Sequence, residues 1–251
     1  MTAQLRAERI ARAFGGVQAL DDCTLTVEQG SITGLIGPNG SGKTTLFNII
    51  TGYERPDSGE VYLAGRKITN ASPQRVFALG IGRTFQLTRI FPRLTVMENM
   101  LVAARRGGRP GRLLARAGGA ADRRRALELL EFTGIARHAA ALADTLSYGQ
   151  RKLLDLASVL AADPAIVLLD EPAGGVNPSL IQHIAARIRD LNAQGTTFLI
   201  VEHNMEFVMG LCHQVTVLDY GTVVASGPPG IIAADPRVLD AYLGSGGDGD
   251  G

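Results

Sequence analysis

A glycine-rich segment early in the chain has the residue types and the spacing that bind phosphate groups. It reads GPNGSGKT from Gly37 to Thr44 and matches the P-loop pattern. Glycines allow backbone N–H groups to surround phosphate oxygens, and a helix that starts there adds partial positive charge. Lys43 supplies a full charge, and the Thr44 hydroxyl suits Mg²⁺. The predicted nucleotide-binding residues are Gly37, Pro38, Asn39, Gly40, Ser41, Gly42, Lys43, Thr44 and Thr45.

Two adjacent carboxylates, Asp170 and Glu171, have the chemistry that hydrolysis needs. They follow the apolar run Ile166 to Leu169, which predicts a fully buried strand. A strand ending at the carboxyl edge of a parallel sheet delivers its last side chains into the crevice that a P-loop occupies. We therefore expect Asp170 to hold Mg²⁺, directly or through water, and Glu171 to be the general base or water-positioning group. Taken alone, such a pair is commonly a helix N-cap with a first-turn acid.

The segment Leu146 to Gln150, with the sequence LSYGQ, predicts a second site for an anion. Ser147 is a suitable N-cap for the apolar-periodic helix that follows. Gly149 would let a phosphate group approach the backbone. Because the chain already has a phosphate site at Lys43, this segment indicates more than a lone nucleotide binder.

Alternating strands and helices must position these residues. Short strands before and just after the P-loop indicate an antiparallel β layer beside the nucleotide-binding sheet. From about Thr95 to Thr145 an alanine-, leucine- and arginine-rich pattern predicts an inserted helical region. The fold class predicted is α/β, a P-loop NTPase with a mixed sheet, an antiparallel β layer and an inserted helical subdomain. The predicted strands are Cys23–Val27, Ser31–Ile36, Gly59–Leu63, Ile166–Leu169, Thr196–Val201, Gln214–Leu218 and Thr222–Ala225, and the predicted helices include Thr44–Ile50, Ser179–Ala193 and Asn204–Leu211.

Composition and charge restrict the function classes. The net charge of +1 offers no global attraction to nucleic acid, so no nucleic-acid partner is predicted. No run approaches the roughly 18 apolar residues of a membrane span, and the N-terminus lacks the apolar core of a secretory signal. Cys23 and Cys212 have no metal-ligand spacing and are expected to be small buried hydrophobes. The arginines of the helical region indicate a solvated face or, as the less favoured alternative, a phosphate- or lipid-facing patch.

In their order along the chain, these motifs resemble those of the ATP-binding subunits of ABC transporters, over roughly Leu5 to Leu243. The resemblance implies ATP and Mg²⁺ as ligands. It implies that Gln86, in GIGRTFQ, contacts Mg²⁺ and the attacking water, and that His203, in LIVEHNME, reaches the γ-phosphate. It implies that Phe14 stacks on adenine, a buried core phenylalanine being the alternative. The catalytic residues expected are Glu171, His203 and Gln86, and the Mg²⁺ ligands expected are Thr44, Gln86 and Asp170.

The same resemblance implies that the subunit works as one of a pair. In the family, the signature segment, here Leu146, Ser147, Tyr148, Gly149 and Gln150, closes over ATP held by the P-loop of a second ABC ATPase subunit. Further implied partners are transmembrane permease subunits and, indirectly, a substrate-binding protein, with this subunit peripheral at the cytoplasmic face of the inner membrane. The implied organisation is one nucleotide-binding domain over residues 1–243, with a helical subdomain at about 87–160. The glycine-rich residues 244–251 are predicted to be a disordered tail.

Two departures from the family pattern indicate a subgroup. Tyr148 replaces the usual glycine of the signature segment, and Asn177, in AGGVNP, stands where the family usually has aspartate. Both resemble the ATPases that import branched-chain (hydrophobic) amino acids. The alternatives are a subunit of a urea or amide importer, a lipid or lipopolysaccharide export ATPase and, in a different class, a soluble non-transport ABC ATPase. A P-loop kinase or GTPase would not need the signature segment.

Overall fold

The computed structural model describes residues 3–84, 90–106 and 119–243, so Gln86 and the predicted tail at 244–251 lie outside the described residues. The strands are β1 (Ala3–Phe14), β2 (Val17–Glu28), β3 (Ile32–Ile36), β4 (Ser58–Leu63), β5 (Arg66–Lys67), β6 (Ile81–Arg83), β7 (Ile166–Asp170), β8 (Thr197–Val201), β9 (Gln214–Asp219) and β10 (Thr222–Gly227). The helices are α1 (Lys43–Ile50), α2 (Pro73–Ala78), α3 (Val96–Arg106), α4 (Ala120–Thr133), α5 (Tyr148–Leu160), α6 (Pro178–Ala193), α7 (Met205–Leu211), α8 (Pro229–Ala233) and α9 (Pro236–Leu243).

The strands form two sheets. A six-stranded sheet has the order β10-β9-β3-β8-β7-β6, in which β9 and β10 are antiparallel and the other neighbouring pairs are parallel. A four-stranded antiparallel sheet has the order β2-β1-β4-β5. The predicted mixed sheet and the predicted antiparallel layer are both confirmed.

The inner strands β7 and β8 of the mixed sheet are buried on both faces, which explains their apolar runs at residues 166–169 and 198–201. On one face, Leu35 and Leu168 belong to a core that includes Phe47 of α1 and the antiparallel sheet. On the other face, Ile36 and Leu169 belong to a core that includes residues of α3 to α7. Alternating residues of each strand therefore pack in different cores.

Both cysteines lie within these cores. Cys23 on β2 and Cys212 after α7 are buried free thiols. Burial raises the pKa of each thiol to about 12. This environment agrees with the prediction that they are small buried hydrophobes.

Helices α3, α4 and α5 pack against one another where the sequence predicts an inserted helical region. Met100, Leu130 and Leu154, one from each helix, are fully buried in the same core. No helix in the described parts of the chain is long and apolar enough to cross a membrane. Arg123 and Arg125, on α4, have exposed side chains. The division into a domain and a helical subdomain stays a prediction.

The sequence predicted one strand in this region, Cys23–Val27, and the structure has a longer hairpin of β1 and β2. β1 reads AQLRAERIARAF, and its alanines and arginines favour helix over strand. The register between β1 and β2 shifts at several places, and Arg9 and Asp22 have φ angles of 48° and 45°. These irregularities hide the two-residue alternation by which strands are recognised. β1 is nevertheless a strand, because its pairing with β2 on one side and β4 on the other outweighs the helix preference of its residues.

Candidate active site

Three neighbouring strands end at one edge of the mixed sheet. β8 lies between β3 and β7, and the three are parallel. The P-loop follows β3, Asp170 and Glu171 stand at the end of β7, and His203 follows β8. Because the carboxyl ends of parallel strands share one edge, these residues converge there. Nδ1 of His203 lies 3.8 Å from Oε1 of Glu171.

The backbone of the P-loop depends on its glycines. Gly37, Gly40 and Gly42 have φ angles of 151°, 80° and 101°. A Cβ added to Gly37 would lie 2.0 Å from the carbonyl oxygen of Leu218, whereas a Cβ on Gly40 would meet nothing within 4 Å. The first glycine is thus required by a close approach of β9, and Gly40 by its backbone angle alone.

The Lys43 ammonium lies within the curve of the P-loop. Its Nζ donates to the carbonyl oxygens of Gly37 at 2.8 Å and Pro38 at 2.7 Å. Burial lowers the pKa of Lys43, and the negative charge of Glu171 acts in the opposite direction. A partly desolvated cation on a loop that begins a helix has a strong preference for anions.

Asp170 is held at the end of β7 by an arginine that the sequence reasoning missed. Nη2 of Arg83 donates to Oδ2 of Asp170 at 2.9 Å, and both side chains are nearly buried. Nη1 of Arg83 donates to Asn48 and Thr51 at the end of α1, each at 2.8 Å. The P-loop helix is therefore tied to the carboxylate of β7. The sequence signal for Arg83 is its charge in a short apolar segment that precedes Gln86 along the chain.

Thr44 and Asp170 are the predicted Mg²⁺ ligands within the described residues. Thr44 lies in the first turn of α1 and is exposed, and Asp170 ends β7 at the same sheet edge. Over residues 3–84, 90–106 and 119–243 there is no group of three or more His, Cys, Asp or Glu side chains that could hold a metal ion. Thr44 and Asp170 fit Mg²⁺, because this ion is usually bound through one or two carboxylates and substrate phosphates. The third predicted ligand, Gln86, lies outside the described residues.

Phe14 lies at the end of β1, opposite Val17 of β2. Its exposed fraction is 44%, so it is not the core phenylalanine that the sequence left as an alternative. The guanidinium of Arg12 lies 4.6 Å from the centre of its ring and is held by Glu54 and Asp57. Arg12 thus fixes the ring beside the hairpin, as a platform on which a planar group can stack.

The signature segment starts α5 with a capping box. The N–H of Gln150 donates to the Ser147 hydroxyl at 3.3 Å, and the N–H of Ser147 donates to the Gln150 side chain at 2.9 Å. Ser147 and Tyr148 are exposed, and Leu146 is buried. The predicted N-cap is confirmed, and its polar groups lie at the surface.

The signature segment packs on the residues that follow Glu171. A Cβ added to Gly149 would lie 2.2 Å from Cδ2 of Leu180, and one added to Gly175 would lie 3.1 Å from the ring of Tyr148. Gly149 therefore has a packing role besides the predicted approach of a phosphate. Asn177, noted as a departure from the family, is the N-cap of α6, and its side chain accepts the N–H of Leu180 at 2.9 Å.

A cavity of about 540 Å³ lies where α3 and α5 meet α2 and β6. Aromatic side chains, Tyr53, Phe77 and Phe91, line it together with Arg83 and Asp155. Arg83 therefore contacts both this cavity and Asp170. Ile90, the first described residue after the segment that contains Gln86, also lines it.

Comparison with known proteins agrees with this geometry. The family model described as ABC transporter matches residues 20–174, and a second model, described as branched-chain amino acid ATP-binding cassette transporter, matches residues 222–248. The probable branched-chain amino acid transport ATP-binding protein LivG of Archaeoglobus fulgidus is 37% identical over 247 residues, which are 96% of this chain and 95% of that protein.

Solved structures are similar over nearly the whole chain. The ADP conformation of MJ1267, an ATP-binding cassette of an ABC transporter, has a TM-score of 0.87 at 34% identity, covering 97% of this chain and 100% of that one. The dimeric structure of MJ0796, a bacterial ABC transporter cassette, has a TM-score of 0.81 at 27% identity, covering 90% and 98%. The predicted fold class is thereby confirmed.

Proposed function

The chain belongs to the ABC transporter family of ATP-binding proteins, and from this premise we propose that it hydrolyses ATP to drive an importer of branched-chain or other hydrophobic amino acids. The observation that carries the proposal is the convergence of Lys43, Glu171 and His203 at the neighbouring ends of β3, β7 and β8. The solute class is supported by the second family match, at residues 222–248, and by the LivG relative.

The proposed reaction is in-line attack of water on the γ-phosphorus of ATP. The P-loop N–H groups and Lys43 bind the phosphates, and Phe14 stacks on the adenine. Glu171 accepts a proton from the attacking water or orients it, and His203 contacts the γ-phosphate. The bond from the γ-phosphorus to the bridging oxygen breaks, and ADP and phosphate leave. Bound Mg²⁺, held by Thr44 and Asp170, would offset the negative charge of the phosphates.

The signature segment is proposed to complete the site of a second cassette. Ser147 and Tyr148 are exposed at the start of α5, where helix N–H groups favour an anion. The similar cassette MJ0796 has a dimeric structure. We propose a dimer in which Ser147 and Gly149 of each subunit meet the ATP held by the P-loop of the other, the second subunit being a copy or a related ATPase.

The cavity lined by Tyr53, Phe77 and Phe91 is the proposed contact for a transmembrane permease subunit. It is concave and aromatic, as sites that receive a protruding element of a partner commonly are. Gln86 lies in the segment between β6 and Ile90 and is proposed to sense that contact and the attacking water together. The subunit would then be peripheral at the cytoplasmic face of the membrane and would reach a substrate-binding protein only through the permease.

Replacing the proposed general base separates binding from hydrolysis. Glu171→Gln removes the proton acceptor and leaves the P-loop unchanged, so turnover should fall by about 10² to 10⁴-fold, while the Kd for ATP stays within about threefold. Size-exclusion chromatography with ATP and Mg²⁺ should show a stable dimer. Glu131→Gln, on the exposed side of α4, is the matched control. Persistent turnover by a monomeric Glu171→Gln variant would contradict the assignment.

The solute class needs a separate measurement. The ATPase should be reconstituted with its permease, and its turnover measured with the binding protein loaded with leucine, isoleucine or valine, with urea, or with no solute. Stimulation by the branched-chain amino acids alone supports the proposal. Stimulation by urea alone would replace it with the importer alternative.

A further inference from the structure

A fully buried carboxylate joins the two loops that carry Glu171 and His203. Glu202 follows β8 and is 0% exposed. Its Oε1 accepts the N–H of Ala173 at 2.6 Å, and its Oε2 accepts the N–H groups of His203 at 3.1 Å and Asn204 at 3.2 Å. Since Ala173 lies in the segment after Glu171, one side chain connects the end of β7 to the loop after β8.

The three hydrogen bonds explain why a negative charge is tolerated here. A buried carboxylate is costly unless donors compensate for the lost water, and backbone N–H groups do so well. Glutamine would not replace it, because one acceptor oxygen would become an NH₂ group facing N–H donors. Glu202 is thus suited to hold two backbone segments at a fixed separation.

A second charged side chain reaches the same segment from α5. Nζ of Lys152 donates to the carbonyl oxygen of Glu171. The ammonium also lies 5.4 Å from the centre of the Tyr148 ring, one helical turn earlier, in the signature segment. Burial lowers the pKa of Lys152, and the negative charges of Glu202 and Glu171 act in the opposite direction. Lys152 therefore links the signature segment to the backbone of Glu171.

The backbone that these side chains hold is strained. Glu171 has a φ of 48°, a left-handed conformation that residues with a Cβ rarely adopt. Its carbonyl oxygen also accepts the N–H of Gly174 at 3.1 Å, which closes a turn. A strained residue keeps its conformation only when its surroundings determine it strongly. Glu202 and Lys152 provide such contacts from two different elements.

We propose that Glu202 and Lys152 are positioning residues that hold the turn of Glu171, and that Lys152 makes the placement of Glu171 depend on the signature segment. The inference rests on the proposed function, since it assumes that Glu171 acts on ATP. In the dimer the signature segment meets the nucleotide of the partner subunit. The contacts from Tyr148 through Lys152 to Glu171 would then connect one ATP site with the other.

The role of Glu202 is tested with Glu202→Gln. The variant should lower kcat by about 10- to 100-fold, because small displacements of a catalytic group have effects of that size. The Kd for ATP should stay within about threefold, because the P-loop is untouched. Glu60→Gln, at a surface ion pair with Lys67, is the matched control and should leave both values unchanged. An unchanged kcat in a folded Glu202→Gln protein would overturn the assignment.

The role of Lys152 is tested with a pair of substitutions. Lys152→Met keeps the apolar stem and removes the donor, so kcat should fall about tenfold or more with little change in ATP affinity. Lys152→Arg keeps a charged donor and a cation beside the Tyr148 ring, so it should restore most of the loss. Lys67→Met, on the surface, is the control. Equal loss in the Met and Arg variants would show that the hydrogen bond to Glu171 is not what matters.

A double variant tests whether Glu202 and Lys152 hold the same turn or act independently of each other. If Glu202 and Lys152 hold the same turn, the loss of kcat in Glu202→Gln with Lys152→Met should be smaller than the product of the single losses. A loss equal to the product would overturn the shared action. If the unmodified protein does not hydrolyse ATP, the proposed function fails. If it does and every variant matches it, this inference alone fails.

Discussion

Lys43 is a single charged residue that backbone groups of the P-loop hold in place. Its ammonium donates to two carbonyl oxygens of its own loop, and its pKa is lowered by burial. Glu202 is the reverse case, a carboxylate held by N–H groups. In both, backbone groups fix the position of a charge.

Lys43→Ala is expected to weaken ATP binding by about 10- to 100-fold. The reason is the loss of charged hydrogen bonds worth about 1.5–3 kcal/mol, at about 1.4 kcal/mol for each factor of ten in Kd. Isothermal titration calorimetry with ATP measures the change, and Lys67→Ala is the surface control. Affinity equal to that of the unmodified protein would contradict the P-loop assignment.

Among the elements of the fold, the loop between β3 and α1 has its shape restricted by contacts with β9 as well as by the phosphate binding proposed for it. Gly37 lies against the carbonyl oxygen of Leu218, and the N–H of Gly221 donates to the carbonyl oxygen of Ser41 at 3.0 Å. The hairpin of β9 and β10 therefore supports the shape of the P-loop. Gly37 is therefore required by the packing of this hairpin, in addition to the phosphate binding proposed for the loop.

Gly37→Ala tests the close contact with β9, and Gly40→Ala tests the backbone angle alone. Gly37→Ala would place a Cβ 2.0 Å from a backbone oxygen, so it should destabilise the fold by more than about 3 kcal/mol, as strong overpacking does. Gly40→Ala meets nothing within 4 Å and should cost only the left-handed backbone penalty of about 1–2 kcal/mol. Urea unfolding of both variants measures the difference. Equal free energies of unfolding would contradict the argument.

In the whole molecule, we propose, one subunit contributes halves of two different ATP sites. The P-loop and the signature segment belong to separate elements, α1 and α5, and the signature segment has its exposed residues at the start of α5. A head-to-tail dimer would join each P-loop to the other subunit's signature segment. Subunits that carry different substitutions should therefore complement each other in a mixed dimer.

Mixing two inactive variants should restore hydrolysis. Lys43→Ala disables the P-loop, and Ser147→Asp places a negative charge in the signature segment while keeping an N-cap of equal quality. A mixed dimer has one site in which both halves are intact. Turnover of the mixture should exceed that of either variant alone. If mixing only averages the two rates, each subunit completes its own site and the dimer proposal is wrong.

The sequence predicted most of the fold that surrounds the site because the signals there are local. The strand Ile166–Leu169 and the helix after Asn204 lie within one or two residues of their observed bounds. By contrast, β1 was not predicted, because its bulges and alanine-rich sequence hide the alternation of apolar and polar residues. Arg83 was also not predicted, because its partners on α1 and β7 are far away along the chain.

Sequence patterns alone predicted the P-loop, the carboxylate pair, the capped signature helix and the family resemblance, because each is a pattern of neighbouring residues with a fixed local geometry. The folded protein was needed to see that Glu202 joins Ala173 to His203 and that Lys152 reaches Glu171. Those contacts connect residues from separate elements, and their partners are backbone groups. Backbone N–H and carbonyl groups are the same at almost every residue, so no pattern of side chains reveals which of them a buried charge will meet.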